Sequence, residues 1–397
     1  MGRAGTGRPT AHRPADPAAK RLLHGKHLDG SGRIHADPTG RTIAAGGIRC
    51  PHGRLSNLNR RIPMKITKIP APYSPAYRDA LFRISATADE IVELDIFDHA
   101  GTGIIGRKRL YGSTVYDVNV AGYAQGQFEV APLRTVQCTF VAPPKRIVNL
   151  TVGSGSTRST TRLNAGIRTI YSYEKLSASP ETRTIGPEES DEIAVIAEGG
   201  TLKAVAVVAG TPATPVTLAT KNDADGLHVF GLKMADMRAK LRAAGLREPT
   251  EGEIVTVRIL DGEDEEMACQ RYRVAPTGEQ NVRICWWNGY GQIDYHTMRC
   301  VLSNGYDIRK ERVYTADGYR TTGCSRENRL SLASDFVNRE TMEWLSGIAV
   351  APGVWMEQNY AFVPLDILTE TVTTVSETLS QLQLTVRKSA REIYQHQ

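Results

Sequence analysis

From residue 82 onward, apolar side chains return at every second position. Phe82, Ile84 and Ala86 alternate with Arg83 and Ser85, and Val92, Leu94 and Ile96 alternate with Glu93 and Asp95. Successive side chains of a strand leave opposite faces, so a period of two describes strands with one face buried and one wet. The pattern returns at Val148–Val152, Leu202–Val208, Ile254–Leu260, Val363–Ile367 and Leu382–Val386. Strands in this number, separated by Gly, Pro, Asn and Asp turns, predict a mainly β fold of tandem antiparallel β-sandwich domains.

Helical spacing is scarce. Met234, Met237, Leu241 and Ala244 share one stripe, with Gly245 where a helix ends, which predicts a short helix at 233–245 whose methionines make core contacts. A second is expected after Ser334, running through Met342, Trp344 and Leu345 and stopping at Gly347. One or two such helices serve as connectors between sheets.

Residues 1–63 differ from the rest. They contain no Phe, Trp or Tyr, and they carry twelve Lys and Arg against three Asp and Glu. A segment of this kind cannot bury a core, so a disordered basic head is expected, or translation from upstream of a start at Met64. The head alone accounts for a net charge of +9, leaving −3 for the remainder of a chain whose total is +6. The body therefore offers no broad basic footprint, and nucleic acid is not an expected partner. No apolar run of membrane-spanning length is present, so no membrane is expected either. Polar stretches at 153–161 and 178–190 suggest division into β-sandwich domains at 64–185 and 186–290 and a C-terminal β domain at 291–397, although the first stretch also fits a long hairpin loop.

Motifs that resemble chemistry fail in context. Gly101-Thr-Gly103-Ile-Ile-Gly106 spells a dinucleotide fingerprint after a strand, but no amphipathic helix follows to face a pyrophosphate, so a hairpin turn is expected. Aligned on Gly226 as the glycine of a calcium loop, Asn222-Asp-Ala-Asp225-Gly226 has Lys221 first and Leu232 last, where carboxylates are required. The acidic run from Asp261 to Glu266 reads as a hairpin tip. The six cysteines show no zinc spacing and suit reduced thiols. Asp294 and His296 share a strand face and could pair as a base and the group that orients it in a hydrolase, but no nucleophile accompanies them. The sequence predicts no catalytic, metal or cofactor site, and hence no enzyme. Aromatic residues cluster at Trp286, Trp287, Tyr290 and Tyr295. Because Trp286 and Trp287 are adjacent on a strand, one can be core while the other reaches an outer surface or an interface, and the cluster reads first as core or subunit contact and second as a platform for glycan stacking.

The segment Arg283-Ile-Cys-Trp-Trp-Asn-Gly-Tyr-Gly-Gln-Ile-Asp-Tyr295-His-Thr resembles one found in uncharacterised phage and prophage proteins of Bacteroidales bacteria. Ile105-Gly-Arg-Lys-Arg-Leu110, the stretch from Arg183 to Ile193, Val354-Trp-Met and Phe362-Val-Pro-Leu fit the same group. The likeness covers most of 64–397 and none of 1–63, and Met298 stands where the pattern often has Phe. The resemblance implies a virion or tail-associated structural protein that assembles as a homo-oligomer with other virion proteins, in the virion or, before assembly, in the bacterial cytoplasm. It supplies no catalytic residues. A carbohydrate- or cell-surface-binding module using exposed aromatics is the alternative, and a hydrolase at Asp294 and His296 the third.

Overall fold

The computed structural model describes residues 64–397, apart from 88–90, 209–214, 277–280, 359–360, 374–378, 390–391 and 396–397. The expected basic head at 1–63 lies outside the described residues. Strands dominate, as the alternation requires, and they form five sheets with three helices among the described residues.

The first sandwich packs a three-stranded sheet (Lys65–Lys68, Leu81–Ser85, Val115–Asn119) on a five-stranded one (Ser74–Pro75, Val92–Phe97, Ile104–Leu110, Ile147–Ser154, Thr157–Asn164). The inward members of the alternation, Phe82, Ile84, Leu94, Ile96, Leu150 and Val152, are fully buried between them. The Gly101–Gly106 motif is the expected hairpin turn: Asp98 Oδ1 accepts from Thr102 N at 3.0 Å and Gly103 N at 3.1 Å. The polar stretch at 153–161 is likewise a hairpin, with Ser154 paired to Thr157.

The second sandwich faces a sheet of Ser190–Glu198, Asp225–Lys233 and Thr139–Val141 against one of Thr182–Ile185, Leu202–Val208, Val216–Lys221, Ile254–Leu260 and Glu266–Val274. Its helix, Met234–Ala243, buries Met234, Met237 and Leu241 of the stripe in the core, while the fourth member, Ala244, is exposed at the C-cap. It ends in a Schellman motif, with Gly245 (φ 73°) N donating to Arg242 O and Leu246 N to Leu241 O, both at 3.0 Å. Asn222–Gly226 is a turn between strands, carrying the chain from Val216–Lys221 in one sheet to Asp225–Lys233 in the other, and Asp261–Glu266 lies at a hairpin tip. Thr139–Val141 belongs to this sandwich although the chain then returns to supply the last two strands of the first.

The third layer is one eight-stranded sheet covered by the helix Arg339–Val350, which buries Met342, Trp344, Leu345 and Ile348. Asn338 caps this helix, its side chain accepting from Thr341 N. The helix does not stop at Gly347. It continues to Val350, where Pro352 holds Ala351 extended (ψ 136°). A third, short helix, Ala121–Gln125, was not expected from the spacing.

Strand pairing moves both expected boundaries. Thr182–Ile185 pairs parallel with Arg271–Val274, so the stretch at 178–190 carries an edge strand of the second sandwich and not a linker ending at 185. Residue 290 lies in the turn of the hairpin joining Val282–Trp287 to Ile293–Met298, both in the third sheet. Partners of this kind are distant in sequence, and local composition does not register them.

The first and third layers meet backbone to backbone. Ile167 N donates to Gly289 O at 2.8 Å, and a Cβ on Gly291 (φ 76°) would stand 2.7 Å from the carbonyl carbon of Ala165. Gly291→Ala should therefore cost about 1–3 kcal/mol through strain and forced separation of these loops. Thermal unfolding of the purified variant checks this; an unchanged midpoint would mean that the 165–168 loop retreats freely.

Candidate functional site: an aromatic cleft beside a buried charge network

Ser190–Glu198 opens with Ser190, Asp191 and Glu192 and is apolar from Ile193 to Ala197. Neighbouring strand residues face opposite ways, yet both acids are buried, because the strand is covered on both sides. Asp191 accepts from Arg183 Nη1 at 2.6 Å and Arg283 Nη2 at 3.1 Å. Arg183 Nη2 continues to Asp294 Oδ1 at 2.9 Å, and Asp294 Oδ2 accepts from Trp344 Nε1 at 2.8 Å. On the other side, Glu192 accepts from Arg146 Nη1 at 2.8 Å, the Tyr295 hydroxyl at 2.6 Å and Leu133 N at 2.7 Å.

Three guanidinium groups thus meet three carboxylates, all buried. Arg146 precedes a strand of the first sandwich, Asp191 and Glu192 belong to the second, and Arg283 and Asp294 to the third sheet, so one network ties all three layers together. Burial lowers the Arg183 guanidinium, but Asp191 and Asp294 outweigh it and its pKa rises. Burial also raises the Asp191 carboxyl against the pull of both arginines, and raises the Tyr295 hydroxyl well above its usual range. Lys175, lowered to about 8 by burial and the Arg183 charge, donates to Gln270 Oε1 at 2.9 Å and does not line the cleft described next.

Beside the network, a cavity of about 290 Å³ opens between the first sandwich and the third layer. Tyr77, Ile167 and Arg168 contribute from one side, the turn Trp287–Tyr290 from another, and Glu343, Trp344, Gly347 and Val350 of the helix from the third. Tyr77 and Trp287 meet edge to face at 6.0 Å, and the Arg168 guanidinium lies 5.3 Å from the centre of the Tyr290 ring.

The four aromatics singled out in the sequence are divided among these features. Trp286 faces the core beneath the helix, 4.9 Å from Trp344. Trp287 faces the first sandwich, its Nε1 donating to Ala165 O at 2.9 Å. Tyr290 lines the cleft, and Tyr295 is buried in the network. Asp294 and His296 are not hydrogen-bonded to one another: Asp294 serves Arg183 and Trp344, while His296 packs edge-on against Trp344, with its Nε2 unpartnered among the described residues. No group of His, Cys, Asp and Glu able to hold a metal occurs among the described residues, whose cysteines are all free, and none of their helices is long and apolar enough to cross a membrane. Sequence reasoning missed Arg146, Arg183, Asp191, Glu192 and Arg283. The available signal was charge inside apolar runs, as at Asp191-Glu-Ile-Ala-Val and Val282-Arg-Ile-Cys-Trp.

No protein family and no curated protein matches the chain. Among solved structures, it is similar to fibronectin(III)-like modules of Clostridium thermocellum CbhA, at 10% identity and a TM-score of 0.16, over 54% of this chain and 95% of that one. It is also similar to a protein of unknown function from Porphyromonas gingivalis W83, at 11% identity and a TM-score of 0.12, over 54% and 99%.

Proposed function

We propose that the chain is a non-enzymatic structural component of a phage or prophage particle, a virion or tail protein that assembles with further copies of itself and with other particle proteins. The observation that carries this reading is the hairpin of Cys300–Thr315 and Gly318–Val337. It is far longer than the body needs, and its first arm ends the sheet order, so that arm's outer edge is unpaired among the described residues. Tyr306, Ile308, Tyr314 and Tyr319 are all more than half exposed along it. An open strand edge offers a row of unmatched N–H and C=O groups that a second chain satisfies by adding a strand. The buried network, which joins all three layers, is consistent with a body that keeps its shape in an assembly. The resemblance at 283–297 points the same way.

The test is mass spectrometry of particles released after prophage induction in cells carrying either the native chain or one with residues 308–326 replaced by Asn-Gly. Many copies of the native chain per particle, and loss of the trimmed chain from particles while it remains soluble and folded, are expected. Particles that lack the native chain would refute the structural role, and full incorporation of the trimmed chain would refute the hairpin as its assembly surface.

A further inference from the structure

Gly347 lies inside a helix that runs on for three more residues, so it is not a terminator. A glycine there costs about 1 kcal/mol relative to alanine. Packing does not demand it: a Cβ would meet a single atom within 4 Å, Trp286 Nε1, at an ordinary 3.6 Å. What the missing methyl leaves uncovered is the indole N–H of Trp286, a residue 1% exposed that lines the cleft and whose Nε1 donates to no acceptor among the described residues. The other indole donors of the cleft are engaged, Trp287 with Ala165 and Trp344 with Asp294. The Asn288 side chain is engaged as well, with Leu176 O, Tyr290 N and Gln292 N. Among the described residues, the remaining polar side chains of the cleft are the exposed Glu343 carboxylate, paired with Arg339 on its own helix, and the exposed Arg168 guanidinium, 3.3 Å from the Tyr290 hydroxyl.

We propose that this cleft is a binding site for one pyranose ring of a glycan, held by aromatic walls and by a sugar oxygen accepting from Trp286 Nε1–H at the floor. The chemistry discriminates among occupants. An anion would meet Glu343 and a cation would meet Arg168. A hydrocarbon side chain would seal the Trp286 N–H without an acceptor, at about 1–3 kcal/mol. A sugar ring presents C–H faces to Tyr77, Trp287 and Tyr290, and its hydroxyls both accept from Trp286 and Arg168 and donate to Glu343. A cavity of about 290 Å³ lies just below the ~300–1,000 Å³ of small-molecule sites, which limits the occupant to about a single ring. This site stands independently of the assembly reading.

The full chain has four tryptophans and hence four indole N–H resonances, assigned by single Trp→Phe replacement. Titration with glucose, galactose, mannose, N-acetylglucosamine and rhamnose should show at least one sugar shifting the Trp286 resonance saturably at millimolar concentration. Gly347→Ala should weaken that sugar at least about tenfold, equivalent to about 1.4 kcal/mol, while raising the melting temperature, so the loss is not a folding defect. The proposal is overturned if none of the five sugars shifts the Trp286 resonance, or if Gly347→Ala binds the sugar as well as the native chain. It is also overturned if N-acetyl-leucinamide alone gives the saturable shift, which would identify an apolar protein side chain as the occupant.

Discussion

Asp191→Ala should lower the unfolding free energy by about 3–5 kcal/mol, the largest effect expected of any single substitution in the molecule. Asp191 is the only carboxylate bonded to both Arg183 and Arg283, and its removal leaves two buried guanidinium groups each short of an acceptor. Arg183 retains Asp294 and Ser177, while Arg283 retains Ser190 O, Thr297 and, at 3.4 Å, the Glu189 carboxylate. The loss is therefore that of a keystone and not of the whole network. Guanidinium unfolding followed by far-ultraviolet circular dichroism measures it, and a double-mutant cycle with Arg183→Met should return a coupling of about 0.5–3 kcal/mol. A loss below about 1 kcal/mol would mean that water enters and replaces the carboxylate, and the network would no longer explain how the layers are held.

Acid should unfold the protein through His296. Burial, reinforced by the Arg283, Arg183 and Arg299 charges, lowers its pKa from 6.5 to about 3. Above pH 6.5 the ring is neutral in both states and contributes no pH dependence. Below 6.5 the unfolded chain takes up a proton that the native ring refuses, so stability falls by about 1.4 kcal/mol per pH unit until about pH 3. Over that window the loss reaches roughly 4–5 kcal/mol. The raised Asp191 carboxyl works in the opposite sense at acid pH, because there the native state holds the proton more readily. The comparison that isolates the imidazole is His296→Phe, whose ring can keep the edge-on contact with Trp344. Between pH 6.5 and 4.5 the native chain should lose about 2–3 kcal/mol more stability than this variant, the contributions of Asp191 and the other carboxyl groups being common to both. Parallel pH profiles for the two proteins would rule out His296 as the origin.

The parts of this fold that were legible in the sequence are those decided within a few residues. Alternation at Phe82–Ala86 and Val92–Ile96 gave both the strands and their inward faces, and the Met234, Met237 and Leu241 stripe ending at Gly245 located a helix nearly to the residue. The glycines of Gly101–Gly106 were read against their own motif because the helix that the chemistry needs was absent. Glycine misled once, at Gly347, where local propensity says stop and the helix continues beneath the cleft. What remained hidden depends on pairs far apart: Arg146 with Glu192, Arg183 with Asp294, and Trp286 beneath Gly347. An arginine or aspartate within an apolar run announces that something must neutralise it, but not where the partner lies. Trp286 and Trp287 leave opposite faces of their strand, and the N–H that the proposed sugar would meet lies on the inward member, through one nitrogen beneath a distant glycine.

The short strand Thr139–Val141 sets a timetable for synthesis. It is made before the final hairpin of the first sandwich, but its partner in the second, reached through Val141 opposite Val229, emerges about ninety residues later. At translation rates of 5–20 residues per second the first sandwich can close while this strand waits roughly 5–20 s with its hydrogen-bonding groups unmatched. During that interval Phe140, which later packs at 5.3 Å against Phe230, has nothing to cover it. The nascent chain is thus most vulnerable to chaperone capture or to pairing with a neighbouring polysome product midway through its synthesis, and a pause introduced between residues 165 and 225 would lengthen that exposure.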